Sequence, residues 1–476
     1  MVNATSGLFR YTSVTLAEVQ MAGGRLDASV FNIEARQARE VISGCPWRKV
    51  PLAGVGGLTE AYHRPRFKRP YVDKPGIPFY QPSQLNDLSP TPARFLSGFK
   101  PNEFDPLRVK KNQILLTCSG TVGEVSMVGN TLDGAVFSHD LIRMNASKEV
   151  GAGYIYTFLR SSIGHCLLTT SNYGAVIQHI EPEHLYEIQV PVPSEELVDR
   201  ISDMILQSFE YRDESNSLIS EAQSKLIKAI NLPELSNIKL SLYKTEAGVL
   251  NWTVSPRNLD ERLDGSYFNP LANAIESLLV KSSHSISSLG DKKLVNEIIL
   301  PGRFKRIYVE DGFGVPFLGG KELGTLDPRT GKNLSLQGHG PRIKDQLTIH
   351  QNQVMITCSG TIGKVAIAPR HWEGWTSSQH VIRLQPSSSV IGGYLYAWLS
   401  TDYAKELIKR FTYGAVVDEV DATHIGGVLV PLVDEPLMAQ IGELVLAAND
   451  KRAEAFELEQ EALNIFNKEV LGLSFN

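Results

Sequence analysis

Between Ser194 and Ile230 the chain contains neither proline nor glycine. Its apolar positions there, among them Leu197, Ile201, Met204, Ile205, Leu218, Ala222, Leu226 and Ile230, recur on one side of a helical period. A second stretch behaves alike: Leu437, Ile441, Leu444 and Ala448 step by threes and fours, and Phe456, Leu463, Phe466 and Val470 continue at spacings of seven, three and four. Such steps predict two helices, each packed along one seam against another helix. At some 35 residues each would be about 50 Å long. Pro436 is tolerable in a first turn, whereas Gly442 is mildly unfavourable inside a helix. Both stretches follow a Val-Pro stop, Val190-Pro191 and Val430-Pro431, and have similar lengths. That symmetry favours pairing of the two helices with each other over each lying across its own domain.

Elsewhere the pattern shortens to period two. Apolar runs such as QILLTCSG and KVAIA predict short strands, and SGTVG or SGTIG a tight turn between strands. GYIYTFLRSSIG and GYLYAWLSTDYAKELIKR each predict one helix following a glycine. The class is α+β, with a small, irregular sheet.

These elements occur twice. RLDASVFN (Arg25 to Asn32) answers RLDGSYFN (Arg262 to Asn269) at a shift of 237, and RFKR at Arg66 to Arg69 answers RFKR at Arg303 to Arg306. Gly76 to Phe79 corresponds to Gly314 to Phe317, and QILLTCSGTVGEV (Gln113 to Val125) to QVMITCSGTIGKV (Gln353 to Val365), by which point the shift is 240. At that shift Gly153-Tyr154-Ile155-Tyr156 meets Gly393-Tyr394-Leu395-Tyr396, and Tyr173 to Val176 meets Tyr413 to Val416. The chain is a tandem duplication of a domain of about 240 residues. The expected organisation is a mixed domain over residues 1–193, a long helix over 194–237, a second mixed domain over 238–433 and a second helix over 434–476.

A length of 476 residues, 42% of them hydrophobic, suits two or three packed domains. No apolar run is long enough for a membrane helix and the start lacks a signal-peptide pattern, so a cytoplasmic location and no membrane partner are expected. Four cysteines without a C-x-x-C pair support neither a disulfide framework nor a zinc finger, and no metal is expected. The net charge of −5 weighs against a chain that binds phosphate unaided, so any nucleic-acid contact must rest on local charge or on a partner.

Local charge is present. RPRFKRPYVDK places Arg64, Arg66, Lys68, Arg69 and Lys74 around Phe67 and Tyr71, and its copy places Arg303, Lys305 and Arg306 beside Tyr308. Cations beside flat aromatic groups suit phosphate contacts and base-edge hydrogen bonds, although a basic run can equally be a solvated face. The duplicated TCSGT invites a cysteine nucleophile at Cys118 and Cys358. The repeat argues against it, because a base should recur with the nucleophile, yet His139-Asp140 faces Gln379-His380. His184 and His424 do correspond, in the segment entering each long helix, where packing or capping accounts for them. No nucleotide, methyl-donor or metalloprotease fingerprint is present. Catalytic residues and cofactors are therefore expected to be absent from this chain.

Two homologous domains, each trailed by a long helix, resemble the specificity (S) subunit of type I restriction-modification systems. The Ser-Gly-Thr-hydrophobic-Gly turn carries much of the likeness: Ser119, Gly120, Thr121 and Gly123 in the first copy, and Ser359, Gly360, Thr361 and Gly363 in the second. The Arg-Leu-Asp openings at Arg25 and Arg262 and the prolines at Pro191 and Pro431 fit as well. The resemblance implies two target recognition domains, each reading one half of a split site in double-stranded DNA, with the helices paired antiparallel as a coiled-coil ruler through Leu197, Ile201, Met204, Leu218, Leu226, Leu437, Ile441, Leu444, Phe456, Leu463 and Phe466. It also implies docking of methyltransferase subunits that bring S-adenosylmethionine, and of a translocating restriction subunit. Two other readings stay open: a duplicated hydrolase built on Cys118 and Cys358, and a non-catalytic scaffold or binding repeat that does not act on DNA.

Overall fold

A computed structural model describes residues 13–21, 32–72, 76–92, 94–98, 102–170, 179–243, 252–259, 262–310, 312–328, 331–414 and 416–473. The first Arg-Leu-Asp motif, Lys74, the Tyr173 to Val176 motif and Ala415 lie outside the described residues. The chain divides into two compact units: residues 1–213 with 455–476, and residues 214–454. The units cut across a linear partition at the helix starts, because each takes up part of both long helices.

In the first unit a four-stranded antiparallel sheet is ordered Thr59–Tyr62, Leu141–Ala146, Ile114–Thr117, Val125–Met127. A smaller sheet follows the order Tyr71–Val72, Arg94–Leu96, Ile77–Tyr80, Val136–Phe137, its last pairing parallel. A ribbon joins Arg48–Pro51 to Gln189–Val192. The second unit has the same three sheets. Its central one runs Val295–Ile299, Val381–Pro386, Val354–Thr357, Val365–Ile367, its smaller one Tyr308–Val309, Asn333–Ser335, Gly314–Leu318, Thr376–Ser377, and its ribbon pairs Ser285–Ser288 with Leu429–Leu432. Register is preserved: Leu116 faces Ile142 and Ile356 faces Ile382, each pair offset by the repeat.

The central strand of each large sheet carries an arginine unremarked in the sequence pattern. Arg143 and Arg383 are fully buried. Arg143 donates to the carbonyls of Leu107, Phe137 and Ser138 at 3.2–3.4 Å, and Arg383 to those of Gln346 and Thr348. Burial holds both guanidinium groups down to about 10. Each arginine ties the large sheet to the loops leading from the smaller one. A fork of rigid donors suits that task, since it reaches several carbonyls at once.

The helix after each glycine is shorter than its sequence suggested. Gly151–Arg160 stops at Ser161 before Ser162–Thr170 begins, and Ser389–Leu399 stops before Asp402–Lys409. Thr401 restarts the latter by accepting the Ala404 N–H, the side-chain capping that lets one helix end and another start in a new direction. The Tyr154 and Tyr394 hydroxyls donate to the carbonyls of Pro191 and Pro431, so two duplicated motifs hold one another in both units. Gly153 and Gly393 have a separate reason. A Cβ on Gly153 would stand 2.4 Å from the Ser202 carbonyl oxygen, and one on Gly393 would stand 2.3 Å from that of Gly442. Gly442, unfavourable by helix propensity, is thereby explained: two backbones cross there too closely for side chains.

The long helices span Glu195–Ile230 and Glu435–Ile465, the second ending in a π turn, Phe466–Val470. In the first unit residues 195–213 pair antiparallel with 455–470, shown by Arg200 with Glu469 and Arg212 with Glu459. In the second, residues 214–230 and 435–454 share one apolar core, with Ile219, Ala222, Leu226 and Ile230 against Ile441, Val445 and Ala448. The buried positions form a heptad seam: Val198, Ile201, Ile205, Ser208, Ser215, Ile219, Ala222 and Leu226 on one helix, and Ile441, Val445, Ala448, Arg452, Ala455, Glu459, Ala462 and Phe466 on the other. Of the residues expected on the seam, Ile201, Leu226, Ile441 and Phe466 are buried. Leu197, Met204, Leu218, Leu437, Leu444, Phe456 and Leu463 are half-buried instead. Five of them, Leu197, Met204, Leu218, Leu437 and Leu444, flank the seam and pack on the cores of the mixed domains.

The first unit's seam holds a buried charge. The Glu459 side chain, 3% exposed, pairs with Arg212, lies 3.3 Å from Arg160 Nε and accepts from the Tyr156 hydroxyl at 3.1 Å. Glu459→Ala strands Arg212 in the seam and should lower the stability of this unit by about 3–5 kcal/mol. Glu459→Leu combined with Arg212→Met should recover most of that loss. Thermal unfolding of the two variants checks this, and equal losses in both would contradict the assignment of the penalty to an unpaired charge.

Candidate nucleic-acid interface

Four duplicated segments converge on one corner of each unit. In the first unit the basic segment 63–70 links the large sheet to the smaller one, and Phe67 anchors it edge-on against Phe79, Phe104 and His139. This anchoring fixes the backbone and sorts the cations. Arg66 and Lys68 are exposed, while Arg64 and Arg69 are half-buried. Arg64 lies 4.7 Å over the Tyr62 ring. Arg69 turns inward onto the loop 138–140, 2.9 Å from Asp140 Oδ2 and 3.3 Å from Ser138 Oγ and His139 Nδ1.

The Ser-Gly-Thr turn approaches from the large sheet. Gly120, at φ +75°, and Thr121 are exposed at its tip, and Gly123, at φ +96°, is buried beneath it. These left-handed conformations are what the two glycines of the motif supply. Thr117 Oγ1 accepts the Glu124 N–H and donates to the Thr121 carbonyl, which closes the turn. Ser119 bridges to His179 in the fourth segment, whose Glu181 meets His63 at 2.5 Å.

The second unit repeats the corner with altered chemistry. Gly360 (φ +74°) and Gly363 (φ +82°) take the same conformations, and Thr361 is exposed. Ser359 bridges to Glu419, and Gly360 donates to the Asp418 carbonyl at 2.9 Å. Arg303, 77% exposed, reaches Glu419 at 3.0 Å; Lys305 is exposed. Arg306 donates to Gln379 Oε1 at 2.7 Å, and Gln379 in turn contacts His380 at 3.0 Å. A helix without a counterpart in the first unit, Leu336–Arg342, buttresses this segment: Arg342 lies 4.9 Å over Phe304, and His339 Nε2 accepts the Ile307 N–H.

The second Arg-Leu-Asp motif is a latch. Arg262 donates to the carbonyls of Phe411 and Thr412 at 3.1 and 2.9 Å and pairs with Asp264, holding the turn that follows the helix Asp402–Lys409. The Arg262 hydrogen bond outweighs burial and holds the Asp264 carboxyl down to about 2. His184 caps the local backbone, its Nδ1 accepting the Glu181 N–H, whereas the His424 ring packs, stacked on Phe411 at 5.5 Å, and its backbone N–H is capped by the Asp421 side chain.

Electrostatically the corner holds its groups in fixed states. Burial pushes His139 and His380 below the usual histidine range, with Arg69 and Arg306 respectively adding to the effect. Burial alone would raise Asp140, but the Ser138 hydroxyl, His139 and Arg69 together hold its carboxyl below the usual range. Burial pushes the Cys118 and Cys358 thiols up to about 12, aided by nearby carboxylates. The corner thus presents fixed donors and acceptors without a thiolate nucleophile. Asp140, Gln379, Glu181 and Glu419 were not singled out by sequence reasoning. The mismatch of His139-Asp140 with Gln379-His380 was a signal for two of them, since it marks a place where otherwise equal copies differ.

Comparison with known proteins finds a matching domain. The model of the type I restriction modification DNA specificity domain matches residues 46–221, the first mixed domain from Pro46 onward with most of its long helix. No curated protein sequence matches the chain. Among solved structures, it is similar to a type I restriction-modification system S subunit from M. genitalium at 15% identity, covering 91% of this chain and 98% of that one with a TM-score of 0.34. It is also similar to the HsdS subunit from Thermoanaerobacter tengcongensis, at 15% identity, 87% and 97% coverage and a TM-score of 0.27. The matched segment resembles a DNA specificity domain, and the sheets of the second unit repeat those of the first strand for strand. Residues 46–221 are thus similar to the DNA specificity domain of type I restriction modification systems. No helix among the described residues is long and apolar enough to cross a membrane.

With thiols at about 12, Cys118 and Cys358 carry almost no thiolate at pH 8. Iodoacetamide at that pH should leave both unmodified in the folded protein and alkylate both in denaturant, as read by peptide mass spectrometry. Alkylation of either at the rate of an exposed cysteine would contradict the assignment.

Proposed function

We propose that each unit of this chain reads one half of a bipartite site in double-stranded DNA, and that the paired helices set the distance between the half-sites. The observation that carries this reading is the corner built twice, with the same scaffold and different polar groups. Two non-identical readers in one chain present pseudo-twofold symmetry to DNA while allowing unlike half-sites. Arg66, Lys68, Arg303 and Lys305 supply phosphate contacts from exposed positions. The net charge of −5 indicates that partners contribute much of the remainder.

Those partners are methyltransferase subunits docked on the outer faces of the long helices. They bring S-adenosylmethionine and the base-modifying chemistry, and a restriction subunit with translocating activity joins them. The complex works in the cytoplasm. This chain supplies the address, and the reaction takes place on its partners.

Co-expression with a type I methyltransferase subunit from the same genome, in a host lacking that modification, should produce a split methylated motif in single-molecule sequencing. The motif should vanish when this chain is omitted. Replacing residues 1–193 by another recognition domain should change one half-site only. A soluble complex with no motif, together with duplex binding that lacks a steep salt dependence, would instead favour a scaffold that does not act on DNA.

A further inference from the structure

We propose that Arg306 reads a guanine in the second unit's half-site, and that the corresponding Arg69 is withheld from base contact by Asp140. The inference rests on the reading of each corner as a DNA-contacting surface. Both arginines occupy the same duplicated RFKR segment, and both stand over the same scaffold ring: Arg69 is 5.9 Å from Phe79, and Arg306 is 5.2 Å from its counterpart Phe317. The aromatic support is therefore shared, and only the polar partner changes.

In the first unit that partner is a charge. Asp140 holds Arg69 at 2.9 Å and is itself kept ionised by Ser138, His139 and Arg69. A base edge competing for this guanidinium must displace a carboxylate. In the second unit the partner is a neutral amide. Arg306 donates to Gln379 Oε1 at 2.7 Å, its Nε has no acceptor among the described residues, and the adjacent His380 is held below the usual histidine range, hence uncharged near neutral pH. The Glu419 carboxylate of this corner is already paired with the exposed Arg303. Arg306 thus keeps an uncompensated cation on an oriented, planar fork. The major-groove edge of guanine, with its O6 and N7 acceptors, matches that fork, and a partner amide that fixes the guanidinium plane confers base selectivity more than general affinity.

Two near-isosteric substitutions exchange the states of the two units. Gln379→Glu gives Arg306 a carboxylate, and Asp140→Asn removes the one on Arg69. The full chain, complexed with its methyltransferase, is titrated against duplexes carrying every single-base substitution of the wild-type motif. Gln379→Glu should reduce discrimination at one guanine of one half-site by roughly 5–150-fold and leave the other half-site unchanged. Asp140→Asn should create a new guanine preference at one position of the other half-site. Arg306→Lys, which retains the charge and loses the fork, should reproduce the first result without changing the salt dependence of binding. Unaltered discrimination in Gln379→Glu and Arg306→Lys would overturn the proposal. So would uniform weakening across all duplexes, the behaviour of a phosphate contact. Both results leave the DNA-reading function standing, whereas failure of that function would show as the absence of any motif with the wild-type chain.

Discussion

A helix of 36 residues with an apolar seam along one side cannot remain stable in water unless the seam is covered. This requirement organises the chain. The first long helix exceeds what its own mixed domain can cover, and the second has the same surplus. Each unit therefore completes its core with part of the other copy's helix: 455–476 in the first unit and 214–230 in the second. Phe466 shows how deep the borrowing goes, since it is fully buried against Tyr154 and Phe158 of the first copy. The last helical turns of the chain are thus core residues of the domain that begins it.

The polar residues in the seam follow from the same requirement. An unbroken run of leucines would pair stably in several registers, whereas Glu459 finds Arg212, Arg160 and Tyr156 in only one. A buried ion pair adds little net stability over an apolar pair of equal volume, but breaking it is costly. Its contribution is selection of register. Under the proposed function, in which helix length sets a distance on DNA, a slip of one heptad matters more than the loss of a kilocalorie or two.

Much of this was legible in the sequence because a duplication makes a motif visible twice. The paired strands, the glycine turns at 119–123 and 359–363 and the long helices all follow from patterns that recur at a constant shift. What escaped was contact between positions distant in sequence. Arg143 and Arg383 sit inside apolar strands, and nothing local indicates that loop carbonyls await them. The seam was misplaced by one position at Leu197, Met204 and Leu444, because pattern reading favours the largest apolar residue, whereas close helix pairing buries Val198, Ile205, Val445 and several small or polar residues. Gly442 looked like a defect until its neighbour across the crossing was known.

The corners invert the usual use of repetition. Equality between copies identifies scaffold: the glycine turns, the phenylalanines beneath the arginines, and the buried arginines of the central strands. Inequality identifies what, under the proposed function, can differ between two half-sites. Asp140 against His380, His139 against Gln379, and His179 against Glu419 all fall in the same corner, at the ends of strands whose registers do not change. Central strands that keep their register while the polar groups at their ends change are what a recognition scaffold requires. Geometry must stay fixed so that one substitution changes the hydrogen-bonding pattern offered to a base without moving its neighbours. The arrangement places specificity in a few side chains on rigid supports, and it leaves the rest of each domain free to be the same.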